Sequence, residues 1–250
     1  MPGFTGKTRF FLPNEDAQVV RDAIYALTIR PEHPLFVTGS GMLALDLLPL
    51  FHGKVTLVDI QESQTVYVRE LIKVMEHADS IRTLQTWLIH DILPQINAYY
   101  AARGASYTEE GVLSALRNYF RIQFLFSDNA LSAVRKRLCD VQLHTSDITD
   151  YLKTHTHDFV HLSNIVDYLS SDQLEPLFAQ LASLNATVFC IETTAIHDRE
   201  AFLRIVQNAG FTSHAATPLL QAQNRALGGN EAKKPWMRTG FVHLFMSKNL

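Results

Sequence analysis

The chain is poor in the features that mark specialised protein classes. Only two of its 250 residues are cysteines, Cys139 and Cys190, with no C-x-x-C spacing. That excludes a disulfide framework and makes a reducing cytosol the simplest compartment. No sign of charge is in excess: 22 Lys and Arg stand against 25 Asp and Glu, a formal net charge of -3, so no basic footprint exists for a nucleic acid partner. Long apolar runs are missing too. The richest, Met42 to Phe51, is broken by Asp46 and Pro49 and falls short of the roughly 18 residues a bilayer span needs. The opening Met1-Pro2-Gly3-Phe4-Thr5-Gly6-Lys7 has no apolar signal core, so a cytoplasmic protein without integral membrane association is expected. Repeats, low-complexity tracts and Gly/Ser/Pro-rich linkers are absent, with Gly228-Gly229-Asn230 as a surface turn; one domain over 1–250 is expected.

What is present is a globular composition, 47% apolar and 19% charged, long enough to bury roughly 70 to 75% of the unfolded surface. Asn14-Glu15-Asp16 reads as a helix start, followed by Val19, Val20, Ala23, Ile24 and Leu27 at helical spacing up to Pro31. Leu35-Phe36-Val37 then predicts a strand, Met42 to Leu48 a buried helix, Val55 to Asp59 a second strand and Ser63 to Met75 a second core helix. Between 79 and 138 strand signals vanish, and helices are expected over 81–101, 109–120 and 129–138. Strands resume at Val141–His144, Phe159–Leu162 and Ala186–Ile191, with helices at 148–152 and 173–183. Phe241–Met246 closes the chain as a strand of an antiparallel hairpin. The pattern predicts an α/β fold: a three-layer, doubly wound, Rossmann-like sheet with a helical insertion and a C-terminal antiparallel strand, its ligand site at the carboxyl ends of the strands.

Thr38-Gly39-Ser40-Gly41-Met42-Leu43-Ala44 satisfies G-x-G-x-x-A, and Asp59 falls twenty residues after the first glycine, at the end of the next strand. Glycines allow close backbone approach to a ligand, a helix start offers free N–H groups, and a carboxylate one strand over accepts from ribose hydroxyls. This layout serves nicotinamide dinucleotides and S-adenosylmethionine (SAM) alike; a plain strand-to-helix turn is the structural alternative. Some thirty residues precede the unit, which favours SAM. Ser163 and Asn164 place polar groups at the mouth of the fourth strand, facing the glycine loop. Asp167, Tyr168, His157 and His161 are nearby candidates for a general base. Ser163 is in no G-x-S-x-G elbow and neither cysteine has a histidine in its own segment, so covalent nucleophilic catalysis is not indicated. His155-x-His157 with His161 lacks the companions of a zinc motif, and no metal is expected. Phe10, Phe11, Tyr67 and Tyr168 are candidate aromatic faces for a sulfonium. The segment Lys7 to Leu12 is a candidate lid, and Arg117 with Arg121 and the run Arg135-Lys136-Arg137 are candidate anion contacts in the insertion.

The glycine loop, Val58-Asp59-Ile60-Gln61-Glu62-Ser63-Gln64, the long insertion and Leu162-Ser163-Asn164-Ile165-Val166-Asp167-Tyr168-Leu169 together resemble the SAM-dependent 3-amino-3-carboxypropyl transferases of betaine-lipid synthesis, over roughly residues 35 to 192. Where that family shows Asn-Pro this chain has Gln61-Glu62, while Gln64 matches the family's glutamine. The resemblance implies a class I methyltransferase-like fold with SAM as cofactor. Gly39 and Gly41 would approach SAM, Asp59 hold its ribose and Asp147 lie near the adenine; Ser40, Ile60, Gln64 and Ile148 complete the binding set. Ser163 and Asn164 would line the reactive end, with Asp167 and Tyr168 beside them. The expected activity is aminocarboxypropyl transfer to a small or amphiphilic acceptor, or cyclisation of SAM on itself, with methylthioadenosine released. Small-molecule methyl transfer is the alternative, and an NAD-dependent oxidoreductase or a SAM-binding module without activity are further ones.

Overall fold

The computed structural model describes residues 11–13, 15–101, 104, 106–192, 199–228 and 240–248. Its strands are β1 (Pro34–Val37), β2 (Val55–Asp59), β3 (Val141–Thr145), β4 (Phe159–Ser163), β5 (Thr187–Glu192), β6 (Phe211–Ser213) and β7 (Phe241–Ser247). They form one sheet in the order β3-β2-β1-β4-β5-β7-β6. Every pairing from β3 to β5 is parallel, and β7 runs antiparallel to both neighbours. The apolar, β-branched runs that predicted strands are those of a sheet covered on both faces: β2, β4 and β5 are buried almost throughout.

One face is covered by α1 (Ala17–Ala26), α2 (Met42–Leu47), α3 (Glu62–His77), the insertion helices α4 (Ile81–Trp87), α5 (Leu93–Ala101), α6 (Glu109–Ser114) and α7 (Asp128–Arg135), which all contribute to one core with Phe36, Leu57, Phe159 and Phe189. The other face is covered by α8 (Ile148–Leu152), α9 (Ser171–Ser183) and α10 (Arg199–Asn208), around Val58, Val160, Val188 and Phe178. The last helix, α11 (Thr217–Gly228), returns to the first face through Leu220. Fully buried rings such as Phe36, Phe159 and Phe189 stabilise the layers by about 2–3 kcal/mol each.

The expected architecture is present, with three differences. First, β7 belongs to no hairpin. It slots between β5 and β6 and is joined to β6 through α11; β6 itself, three residues long, is too short to carry a readable period. Second, the long insertion helices are interrupted by π-helical turns at Leu88–Ile92 and Ala115–Tyr119. Pro94 accounts for the first, because its ring cannot donate to, and clashes with, the carbonyl four residues earlier. Third, α1 ends at Ala26 rather than running to Pro31. Segment 7–10 of the proposed lid and residues 229–230 of the proposed turn lie outside the described residues. No helix among the described residues is long and apolar enough to cross a membrane.

Candidate functional site

The chain leaves β1 to build β2 and β3 on one side, then returns to build β4 and β5 on the other, so strand order reverses between β1 and β4. At such a reversal the loops at the strand ends diverge and leave a crevice. The glycine loop sits in it. Gly41 N–H donates to Thr38 O at 2.7 Å, closing a tight turn, and Thr38 N–H donates across to Val58 O at 2.9 Å. Both glycines have positive φ, +48° at Gly39 and +71° at Gly41, but for different reasons. A Cβ on Gly41 would lie 2.6 Å from Cγ2 of the fully buried Val68, whereas a Cβ on Gly39 would meet nothing within 4 Å. Gly41 is demanded by packing against α3. Gly39 opens onto free space.

Asp59 ends β2 beside this space. Its Oδ1 accepts from Gln61 N–H at 2.9 Å, and burial pushes its carboxyl up to about 6, partly offset by hydrogen bonds from the Gln61 and Gly39 N–H groups. Ile60 follows it with its apolar side chain 62% exposed, an unusual position for Ile unless a ligand covers it. Gln64 is buried in the first turn of α3. One strand further out, Asp147 caps α8 by accepting from Thr149 and Asp150 N–H at 2.7 and 3.3 Å, and Ile148 packs into the second core. Ser40 is buried in the loop, its hydroxyl accepting from Met42 N–H at 3.4 Å.

The β4 end supplies the opposite wall. Ser163 holds φ +54° where pairing with β5 slips by one residue. A non-glycine residue in that conformation is kept only by its surroundings. Asn164 is half-buried beside it, 3.4 Å from the serine hydroxyl. Asp167 lies buried in the following 3-10 turn and its charge is felt at Cys190 on β5, while Tyr168 is 51% exposed. Ser163 thus shares a cavity with Gly39 and Ser40, and Asp167 and Tyr168 stand beyond its rim.

That cavity, about 20 Å³, is lined by Glu15, Thr38, Gly39, Ser40, His161 and Ser163 among others. The sequence pattern marks Glu15 only as part of a helix start. It is buried, accepts a hydrogen bond from the Ser163 hydroxyl 148 residues away, and burial pushes its carboxyl up to about 7, with the Ser163 bond pulling the other way. His161 follows Phe159 on the same face of β4 and is sandwiched between Phe36 and Phe189, with ring centroids 5.2 Å away on each side. Burial pushes its imidazole down to about 3, and among the described residues neither ring nitrogen has a hydrogen-bond partner; nor has the Thr38 hydroxyl.

The insertion and α1 hold these groups in place. Asp16 caps α1 by accepting from Gln18 N–H at 2.9 Å and is gripped by the Arg121 guanidinium, which fixes the residue next to Glu15. Asp46 on α2 accepts from Gln123 N–H, Phe124 N–H and Arg21 Nη2 at 2.6, 3.0 and 2.8 Å. The arginines among the proposed anion contacts serve the fold: Arg121 is committed to Asp16, Arg117 lies over Phe126, Arg135 donates to Glu76 O, and Arg137 ties the backbone at 51–53, while Lys136 is exposed. Phe11 and Tyr67 meet edge to face at 6.0 Å, joining the segment before α1 to α3.

Of the two histidines proposed as bases, His157 is engaged in the fold, and so is its neighbour His155. His157 Nδ1 lies 2.9 Å from His33 O, and His155 stacks on Tyr151 at 4.0 Å. Among the described residues no group of three His, Cys, Asp or Glu could hold a metal. A wider groove of about 600 Å³ runs along the β6–β7 edge between Arg199 and Gln221. Size does not select it as the site, because it lies away from the reversal point and its buried His243 is already 3.1 Å from Glu192.

A scan against protein-family models finds no match, and a search of curated proteins finds none. Solved structures do match. The glycopeptide N-methyltransferase MtfA, complexed with S-adenosylhomocysteine, aligns over 97% of this chain and 93% of its own, with TM-score 0.50 and 12% identity. The magnesium protoporphyrin IX methyltransferase ChlM from Synechocystis PCC 6803, with bound SAM, aligns over 92% and 78%, with TM-score 0.49 and 11% identity. The fold is that of the class I SAM-dependent methyltransferases.

Proposed function

We propose that this chain is a SAM-dependent transferase and that the group it moves is the 3-amino-3-carboxypropyl arm. The observation that carries the reading is the glycine loop at the strand reversal, open above Gly39 and flanked by the half-buried acid Asp59. The residues present fit the ligand: free space where the backbone would approach, an acid for ribose hydroxyls, an uncovered Ile60 for the base, and partnerless polar atoms on Thr38 and His161 towards β4. SAM supplies a sulfonium whose methyl and γ-carbon are both electrophilic.

The chain's part is alignment and exclusion of water rather than neutralisation of a growing charge, since the sulfonium charge is lost in the displacement. Gly39 and Asp59 would hold the nucleoside half, and Ser163 and Asn164 would border the reacting carbon. The acceptor forms a bond to the γ-carbon, the carbon–sulfur bond breaks with its electron pair on sulfur, and the acceptor's proton leaves to water or to a nearby base. The choice of the γ-carbon is supported by the resemblance at Ser163 to Leu169 and at Gln64. The acceptor class is a small or amphiphilic nucleophile.

Product analysis tests both levels. On incubation with SAM and a panel of small amines, thiols and amphiphiles, 5′-methylthioadenosine is the expected nucleoside. S-adenosylhomocysteine in its place replaces the reading with methyl transfer. A chain whose melting temperature rises with NAD and not with SAM or S-adenosylhomocysteine is no SAM-dependent transferase.

A further inference from the structure

Glu15 has no part in the reaction as described, yet it lines the cavity at the crevice. It is 4% exposed, and among the described residues the cavity it shares is lined by no lysine or arginine. A carboxylate removed from water is costly unless a cation or several donors meet it, and among the described residues it is met by the Ser163 hydroxyl and its own backbone N–H. His161 does not provide the missing charge. Its faces are covered by Phe36 and Phe189, and burial keeps it neutral, leaving only a ring edge with a free lone pair. The Thr38 hydroxyl, 5% exposed, is a further partnerless oxygen on the same cavity.

The cavity measures about 20 Å³, room for one water-sized group. A carboxylate or phosphate does not fit such a space and would be repelled by Glu15. A primary ammonium fits: it is water-sized, carries the missing charge, and has three N–H donors for three acceptors, the carboxylate, the imidazole nitrogen and the threonine oxygen. Resting on the transferase reading above, we infer that Glu15, with Thr38 and His161, receives the α-ammonium group at the amino-acid end of SAM. The segment before α1 is then part of the ligand site, set in place by the Asp16–Arg121 pair.

Titration calorimetry on the full chain and on Glu15→Gln tests this with three ligands: S-adenosylhomocysteine, its analogue lacking only the amino group, and 5′-methylthioadenosine. Gln keeps the shape and an acceptor for Ser163, and its melting curve confirms folding. The expected result is an affinity for S-adenosylhomocysteine lowered about ten- to hundredfold, the worth of hydrogen bonds to a charged group, with the other two ligands unchanged. An undiminished affinity for S-adenosylhomocysteine overturns the inference and leaves a buried water as the occupant. An equal loss for all three also overturns it, while leaving the transferase reading intact. A wild-type chain that binds none of the three overturns both.

Discussion

Asp46 and Glu15 are both buried carboxylates that face α1 and its neighbours, and the protein treats them in opposite ways. Asp46 is met by a guanidinium and two backbone N–H groups, which tie α1, α2 and the end of the insertion together. Glu15, at the reversal of the sheet, is met among the described residues by one side-chain hydroxyl and its own N–H, in a cavity where the Thr38 hydroxyl and both His161 ring nitrogens lack partners. A buried charge with all its partners inside the chain holds structure. One with no cation beside it among the described residues is arranged for something that arrives from outside.

The comparison is sharpest under mutation. Asp46→Ala strands Arg21 and two N–H groups in the core, and is expected to lower stability in urea by about 3–5 kcal/mol. Glu15→Gln is expected to do the reverse. The Glu15 carboxyl titrates near 4.5 when the chain is unfolded and at about 7 when folded. The folded state therefore holds the extra proton between these values, and stability is lost as pH rises through 7. Removing the charge should make the ligand-free protein more stable at pH 8 by about 3 kcal/mol and change little at pH 4, as thermal unfolding at the two pH values will show. Equal effects at both would place Glu15 with Asp46 as a structural acid.

The glycines extend the contrast on a smaller scale. Gly41→Ala sets a methyl against Val68 and adds left-handed strain, with a loss of about 1–3 kcal/mol in unfolding experiments. Gly39→Ala costs about 1 kcal/mol for the conformation alone, and its larger effect should be on ligand affinity, because the methyl enters open space above the loop. Tyr168→Phe is expected to change stability by less than about 0.5 kcal/mol, as the residue is half exposed.

Much of this was legible in the sequence wherever the signal is local. The apolar runs of β1 to β5, the glycine turn and the acid closing β2 are fixed by neighbours within a few residues, and each stands where its pattern places it. What depended on distant partners was not legible. Nothing local distinguishes Glu15 from Asp16, yet one faces the cavity and the other pairs with Arg121. The basic residues of the insertion looked like a solvated or anion-binding face because their acceptors, Asp16 and the carbonyls at 51–53 and 76, are 59 to 105 residues away. The place of β7 between β5 and β6 is likewise a matter of sheet order, which periodicity does not encode.

A crystal structure of the complex with S-adenosylhomocysteine tests the central claim most directly. The account predicts ribose hydroxyls on Asp59, the base over Ile60 and the amino group in the corner formed by Glu15, Thr38 and His161. Ligand density along the β6–β7 groove near Arg199, or none at the glycine loop under saturating ligand, would contradict it.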